Sequence, residues 1–267
     1  MAEILRIENL TKEYKIKKDS IFEPTKYFKA LDDVSLTVNR NEIFGLVGES
    51  GSGKSTLGKA ILKLIKPTSG KIYFEGKDIE TFDKKELFDY RRKVQMVFQD
   101  PYSSLNPQKK IGWSLMEILD IQKIGTKQER IKMAKKILED VEMRPSVMEQ
   151  YPNELSGGQR QRISIASALI VEPELVVIDE GVSALDVSVQ AQVLNLLNEL
   201  QEKYNFTCIF ISHDLNVIEY LCDRIAVLHN GVLQEVFNAE ELFEEGRAEY
   251  TKTVSYTHLR AHETLRY

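Results

Sequence analysis

At 267 residues, 42% hydrophobic and 29% charged, the chain is long enough for one large α/β domain or two small ones with a sizeable core. Lys and Arg number 36 against 41 Asp and Glu; the net charge of −5, without a long basic block, disfavours a binder of duplex DNA or another polyanion. No stretch free of charge and proline approaches the ~20 apolar residues of a membrane span, and no secretory signal precedes the first apolar pattern. Cys208 and Cys222 both fall in apolar patterns and read as small buried thiols, not as a disulfide framework or metal cage. The balance predicts a soluble, cytosolic protein; if it works at a membrane, a partner must hold it there.

In chain order, residues 4–7, 34–38 and 71–74 read as strands. In Val34-Ser35-Leu36-Thr37-Val38 apolar and polar residues alternate, as in a sheet with one buried face. Residues 42–47 are apolar almost throughout, as for a strand covered on both faces. A glycine-rich turn and a helix follow, with Leu57, Ala60, Ile61, Leu64 and Ile65 at the spacing of one buried face. Residues 113–150 read as helical, with Ile131, Ala134, Ile137, Leu138 and Val141 in one stripe. A helix over 159–171, a buried strand over 174–178, a helix over 187–204 and a strand over 206–212 come next. A hairpin, 224–228 with 232–236, turns at Asn230-Gly231. This alternation predicts a mainly parallel sheet with the 113–150 helices as an insertion.

Three short motifs carry chemistry. Residues 48–55, GESGSGKS, fit G-x-x-x-x-G-K-[ST] between a buried strand and a helix. Glycines let the backbone curl so that successive N–H groups face phosphate oxygens, and the helix N-terminus adds positive partial charge. The expected contacts are Gly48, Ser50, Gly51, Gly53, Lys54, Ser55 and Thr56, with Lys54 reaching the β- and γ-phosphates and Ser55 offering its hydroxyl to Mg²⁺. Residues 175–180, LVVIDE, form an apolar strand ending in two carboxylates, at the end where ligands bind in open α/β sheets. Asp179 is expected to orient Mg²⁺, and Glu180 to polarise the water that attacks the γ-phosphate. Finally, Leu155-Ser156-Gly157-Gly158-Gln159 opens a helix with Ser156 as its N-cap, a second anion-binding helix start. One nucleotide does not need two such cradles, so this one is expected to face a nucleotide held by another subunit.

The order of the glycine loop, Gln99, LSGGQ, the Asp179-Glu180 strand end, Ser183-Ala184-Leu185-Asp186 and His213 resembles an ABC-transporter ATPase domain. VFQDPYSSLNP (97–107), SGGQRQRISIA (156–166) and SALDVSVQAQVLNLL (183–197) resemble, more narrowly, the oligopeptide/dipeptide importer ATPases of the F type. The likeness covers residues 3–253. It implies a P-loop NTPase core with a mainly parallel sheet, an antiparallel β subdomain and an inserted α-helical subdomain at about residues 100–170. In that family two ATPase domains join head to tail around two ATPs, each between the glycine loop of one subunit and the LSGGQ of the other. Ser156, Gly157, Gly158 and Gln159 would then meet the partner's ATP, with Asp186 at the junction. Gln99 would contact Mg²⁺ and the attacking water, and His213 would hold the γ-phosphate. Tyr14 is the best match for the aromatic that stacks on adenine, with Phe22, Tyr27 and Phe28 as competitors.

The resemblance also implies a cytoplasmic ATPase at the inner face of the cell membrane. Its partners would be a D-type paralogue, two membrane permease subunits and an extracytoplasmic peptide-binding protein, with no nucleic acid. Import of nickel or another small solute, and a non-transport ABC ATPase acting on ribosomes or DNA, are the alternatives. Ser167 departs from the arginine many relatives carry in the signature helix. Relatives continue several tens of residues past YTKT (250–253). Here VSYTHLRAHET (254–264) matches one reading frame of a transposase sequencing adapter instead. Residues 254–267 are accordingly read as non-native and excluded from fold and function.

Overall fold

The computed structural model describes residues 2–16, 26–100, 104–181 and 186–242. The chain begins with β1 (Glu3–Lys15), β2 (Tyr27–Asn39), β3 (Ile43–Val47), α1 (Lys54–Ile61), β4 (Ser69–Phe74), β5 (Lys77–Asp78) and α2 (Lys84–Lys93). It continues through β6 (Val94–Val97), α3 (Ile111–Ile121), α4 (Lys127–Asp140), α5 (Gly157–Leu169), β7 (Leu175–Asp179) and α6 (Val187–Tyr204). The last described elements are β8 (Thr207–Ser212), α7 (Leu215–Leu221), β9 (Arg224–His229) and β10 (Val232–Asn238). Two compact units result, one from Met1–Leu87 with Ile209–Tyr267 and one from Phe88–Cys208. Residues 254–267 lie outside the described residues, as do Phe22 and Ser183, Ala184 and Leu185.

In the first unit, β2-β1-β4-β5 form an antiparallel sheet. Val34, Leu36 and Val38 are buried while Ser35 and Thr37 are exposed, as the alternation predicts. Both β1 and β2 run well beyond the expected 4–7 and 34–38. Their pairing shifts register around Leu10 and Lys12. Asn9 and Asp33 take left-handed φ of 48° and 57°, with Asn9 Nδ2 donating to Asp33 Oδ1 at 2.8 Å. Such bulges interrupt the two-residue period while the ladder continues.

The same unit holds β10-β9-β3-β8 in that order, with β3 parallel to β9 and β9 antiparallel to β10. Every residue of β3 is buried. Its start is anchored by polar groups: Asp223 Oδ2 accepts the Ile43 N–H at 2.8 Å, and the buried Glu42 carboxylate pairs with Arg224 at 3.0 Å. A buried carboxylate needs such a partner. The hairpin turns at Asn230 and Gly231, with φ of 49° and 81°, the positive values expected of that pair. On α1, Leu57, Ala60 and Ile61 are buried, but the helix stops at Ile61 and Leu64 is exposed. Lys63 turns left-handed (φ 54°) and the Leu64 N–H bonds back to the Lys59 carbonyl, closing the helix before the apolar stripe runs out.

In the second unit, β6 pairs in parallel with β7. Ala134, Ile137, Leu138 and Val141 are buried along and just past α4, and α6 covers the expected 187–204. The elements the sequence reading did not anticipate, α2, β5, β6 and α7, are short or carry little apolar signal; α2 buries Tyr90 alone. Both cysteines are buried, and burial pushes the Cys208 thiol far above its ordinary range. Among the described residues no helix is long and apolar enough to cross a membrane.

Candidate nucleotide site

The first unit holds the glycine loop between β3 and α1. A Cβ on Gly48 (φ 154°) would lie 2.0 Å from the Leu228 carbonyl oxygen. One on Gly53 (φ 106°) would lie 2.3 Å from the Ala30 carbonyl oxygen. Only glycine fits either place. The loop is also pinned through Ser52, whose carbonyl accepts the Gly231 N–H at 2.9 Å. Gly53 is the N-cap residue of α1 and supplies no side-chain cap, so the helix start depends on other acceptors for its first N–H groups. The Lys54 side chain is buried here. Its ammonium donates to the carbonyls of Gly48 (2.6 Å) and Glu49 (2.8 Å), and lies 3.4 Å from Ser52 Oγ. A fixed cation, curled backbone and a helix N-terminus thus converge, the arrangement that binds phosphate. Ser55 and Thr56 are half-buried in the first turn; Ser50 and Gly51 form the exposed rim.

His213 follows β8, the sheet neighbour of β3, and is exposed. Its turn is fixed on both sides: Ser212 Oγ accepts the Asp214 N–H at 3.0 Å, and Asp214 caps α7 by accepting the Asn216 N–H at 3.0 Å. At the far end of the β1–β2 ribbon, Tyr14 stands directly opposite Phe28, and Lys15 opposite Tyr27. Directly opposite residues share a face, so Tyr14 and Phe28 form one exposed aromatic pair and Tyr27 points the other way. Two residues along β2 from Phe28, the Ala30 carbonyl abuts the glycine loop.

The second unit brings Gln99 and Glu180 together. The parallel register sets Val97 opposite Ile178, so the residues two further on emerge side by side. Gln99 Nε2 donates to Glu180 Oε2 at 2.6 Å. Asp179, the last residue of β7, is buried, and Glu180 bends the chain away with a left-handed φ of 47°. Sequence reasoning named both residues but not their contact, because β6 was not anticipated. At the start of α5, Ser156 Oγ accepts the Gln159 N–H (3.3 Å) while Gln159 Oε1 accepts the Ser156 N–H (2.9 Å), a capping box. A Cβ on Gly158 would lie 2.6 Å from Val189 Cγ1 on α6, so any larger residue there would have to displace that valine. Asp186 occupies the N-cap position of α6 but makes no side-chain cap bond. Among the described residues no group of three or more His, Cys, Asp or Glu could hold a metal by itself. In the first unit the Ser55 hydroxyl, and in the second the Asp179 carboxylate and the Gln99 amide, each offer oxygen, the donor type Mg²⁺ takes.

A phosphate loop on a buried strand, an acidic strand end beside a glutamine, and a capped LSGGQ helix start define an ATPase of the ABC class, and the chain belongs to the ABC transporter family, whose pattern matches residues 31–183. Within it, the chain is 49% identical over 251 residues to a putative peptide import ATP-binding protein of Brucella ovis, covering 94% of this chain and 77% of that one. It is 46% identical over 244 residues to the oligopeptide transport ATP-binding protein OppF of Bacillus subtilis, covering 91% and 80%. Among solved structures it resembles the dimeric ATP-binding cassette MJ0796 in a post-hydrolysis state bound to ADP and Pi. The TM-score there is 0.77 at 31% identity, covering 88% of this chain and 99% of that one.

Proposed function

We propose that this ABC ATPase drives import of oligopeptides or dipeptides. ATP binding is carried by one observation above all, the glycine loop whose backbone admits no Cβ at Gly48 or Gly53 and whose Lys54 ammonium lies folded among its carbonyls. Peptide as cargo is supported by the peptide-import relatives. The loop and first turn, Gly48 to Thr56, hold the phosphates, and Tyr14 stacks on adenine. Glu180 polarises the attacking water, Gln99 orients it, and His213 stabilises charge on the γ-phosphate. Ser55, Gln99 and Asp179 are the residues that would hold Mg²⁺, which would supply charge neutralisation to the phosphates. Ser156, Gly157, Gly158, Gln159 and Asp186 serve the nucleotide of a second ATPase subunit, a D-type paralogue.

The membrane contact is proposed at a groove of about 290 Å³ in the second unit, lined among others by Phe98, Leu105, Ser114, Ile118, Ile121 and Ser167. Phe98 and Ile121 are exposed there. Ser167, which bonds back to the Ile163 carbonyl at 2.9 Å, leaves the groove wall without the longer side chain of many relatives. Two permease subunits dock at this groove and hold the chain at the cytoplasmic face of the membrane, and an extracytoplasmic binding protein delivers the peptide.

The test is purification with the genetically neighbouring permeases, reconstitution, and ATPase assay with and without peptide-loaded binding protein. Peptide is expected to raise turnover; no stimulation by any peptide overturns the cargo assignment. Glu180→Gln is expected to retain ATP binding and trap the joined state while turnover at its site falls at least about hundredfold. Near-parental hydrolysis there removes Glu180 from its role.

A further inference from the structure

Gln161 lies on α5, two residues past the LSGGQ motif. It is 1% exposed, yet its Nε2 has no hydrogen-bond partner among the described residues. A buried unsatisfied amide is uncommon in a native fold and calls for a reason. The nitrogen is aimed at the turn that leaves β7: a Cβ built on Gly181 would lie 3.0 Å from Gln161 Nε2 and 2.7 Å from Ile178 Cγ2. One residue earlier, Glu180 holds its left-handed φ of 47°, an uncommon and costly conformation for a glutamate. A donor lacking an acceptor and a strained peptide turn therefore adjoin within a single unit. In this arrangement Glu180 Oε2 accepts from Gln99 and so is engaged by a neighbour.

We infer that Gln161 is a positioning residue for ATP hydrolysis. When nucleotide engages the start of α5, the Glu180–Gly181 turn relaxes and one of its peptide carbonyls accepts the Gln161 Nε2–H. The new bond ties the helix that senses the partner's ATP to the carboxylate that polarises water in this chain. The inference rests on the proposed role of Glu180.

Two substitutions in the reconstituted transporter test it. Gln161→Met keeps length and volume but removes the donor. It is expected to lower kcat for ATP about tenfold, the rate equivalent of one ordinary hydrogen bond, with KM within about twofold of the parent. The melting temperature of the variant chain is expected to equal or exceed the parental value, because a buried unpaired donor has gone. Gln161→Glu, which substitutes an acceptor for the donor, is expected to lose at least as much rate. An unchanged kcat in Gln161→Met overturns the inference, as does a rate loss accompanied by a fall in melting temperature, which marks a packing role alone. Glu180→Gln measured alongside separates the two levels. If it still hydrolyses ATP, the underlying reading of the site fails; if it is inactive while Gln161→Met runs at full rate, only the inference fails.

Discussion

The starts of α1 and α5 are both rich in glycine, yet they are completed by opposite means. At α1 the main chain does the work: Gly53 supplies no side-chain cap, its φ of 106° excludes other residues, and the Lys54 cation is folded into the loop. At α5 side chains do it: Ser156 and Gln159 satisfy each other's backbone N–H groups. A third start, that of α4, uses the same box with Thr126 and Glu129. The box at α4 carries a carboxylate and the one at α5 a neutral amide of nearly the same shape. If α5 meets a phosphate, as proposed above, a neutral residue in its box leaves the positive dipole end unopposed, whereas an exposed start such as that of α4 tolerates the negative charge. The comparison separates a helix start shaped by backbone glycines and a folded-in cation from one completed by its own side chains.

The sharpest way to break the comparison is Gly48→Ala. Its Cβ would sit 2.0 Å from the Leu228 carbonyl, a backbone atom that cannot step aside. We expect a loss of about 4 kcal/mol or more, seen by calorimetry as a fall in Tm of roughly 10 °C, together with abolished binding of a fluorescent ATP analogue. A stable, ATP-binding variant would mean that the loop is not held as described. Next in size is Gln159→Glu, which keeps the box but adds a charge. Tm should hold while ATP-driven pairing with the partner subunit weakens about tenfold in sedimentation, an effect shrinking with added salt. Undiminished pairing would remove the reason given for the neutral residue.

Smaller still is Ser156→Ala, which deletes the cap and is expected to cost about 1 kcal/mol, a Tm shift of roughly 2–4 °C. The smallest effect is acid sensitivity at α4. Glu129 is held below the usual carboxylate range, first by the Thr126 backbone N–H it accepts and then by the Thr126 side chain. With its folded value depressed, its contribution is complete above the unfolded glutamate value near ~4.3 and is lost as pH falls through the lower folded one. First-turn amides of α4 should then lose protection from hydrogen exchange in acid, while those of α5, capped by a neutral residue, do not. Glu129→Gln should erase the difference.

What the sequence made legible follows the physics of each signal. The phosphate loop, the acidic strand end and the Ser156 cap were readable because glycine, a buried strand and a capping residue act locally. The full β1–β2 ribbon was not, because the left-handed residues Asn9 and Asp33 break the alternation without ending the ladder. The stripe through Leu64 misled, since Lys63 turns the chain out before the apolar pattern stops. The Gln99–Glu180 bond was invisible for a topological reason: it depends on a four-residue strand, β6, finding β7 in parallel register. Gln161 gave no signal either, because a missing partner has no sequence pattern. Of the aromatic candidates, pairing alone set Tyr14 and Phe28 on one face and turned Tyr27 away.

The bond between Asp223 and the Ile43 N–H spans 180 residues of sequence, and the glycine loop just beyond β3 leans on Gly231 of the same late hairpin. On a ribosome adding about 5–20 residues per second, the loop is exposed for roughly 10–40 s before its supports have been translated. Throughout that interval the nascent chain carries the nucleotide motif without the scaffold that shapes it. The loop is therefore among the earlier parts of the domain to be made and among the last to be completed.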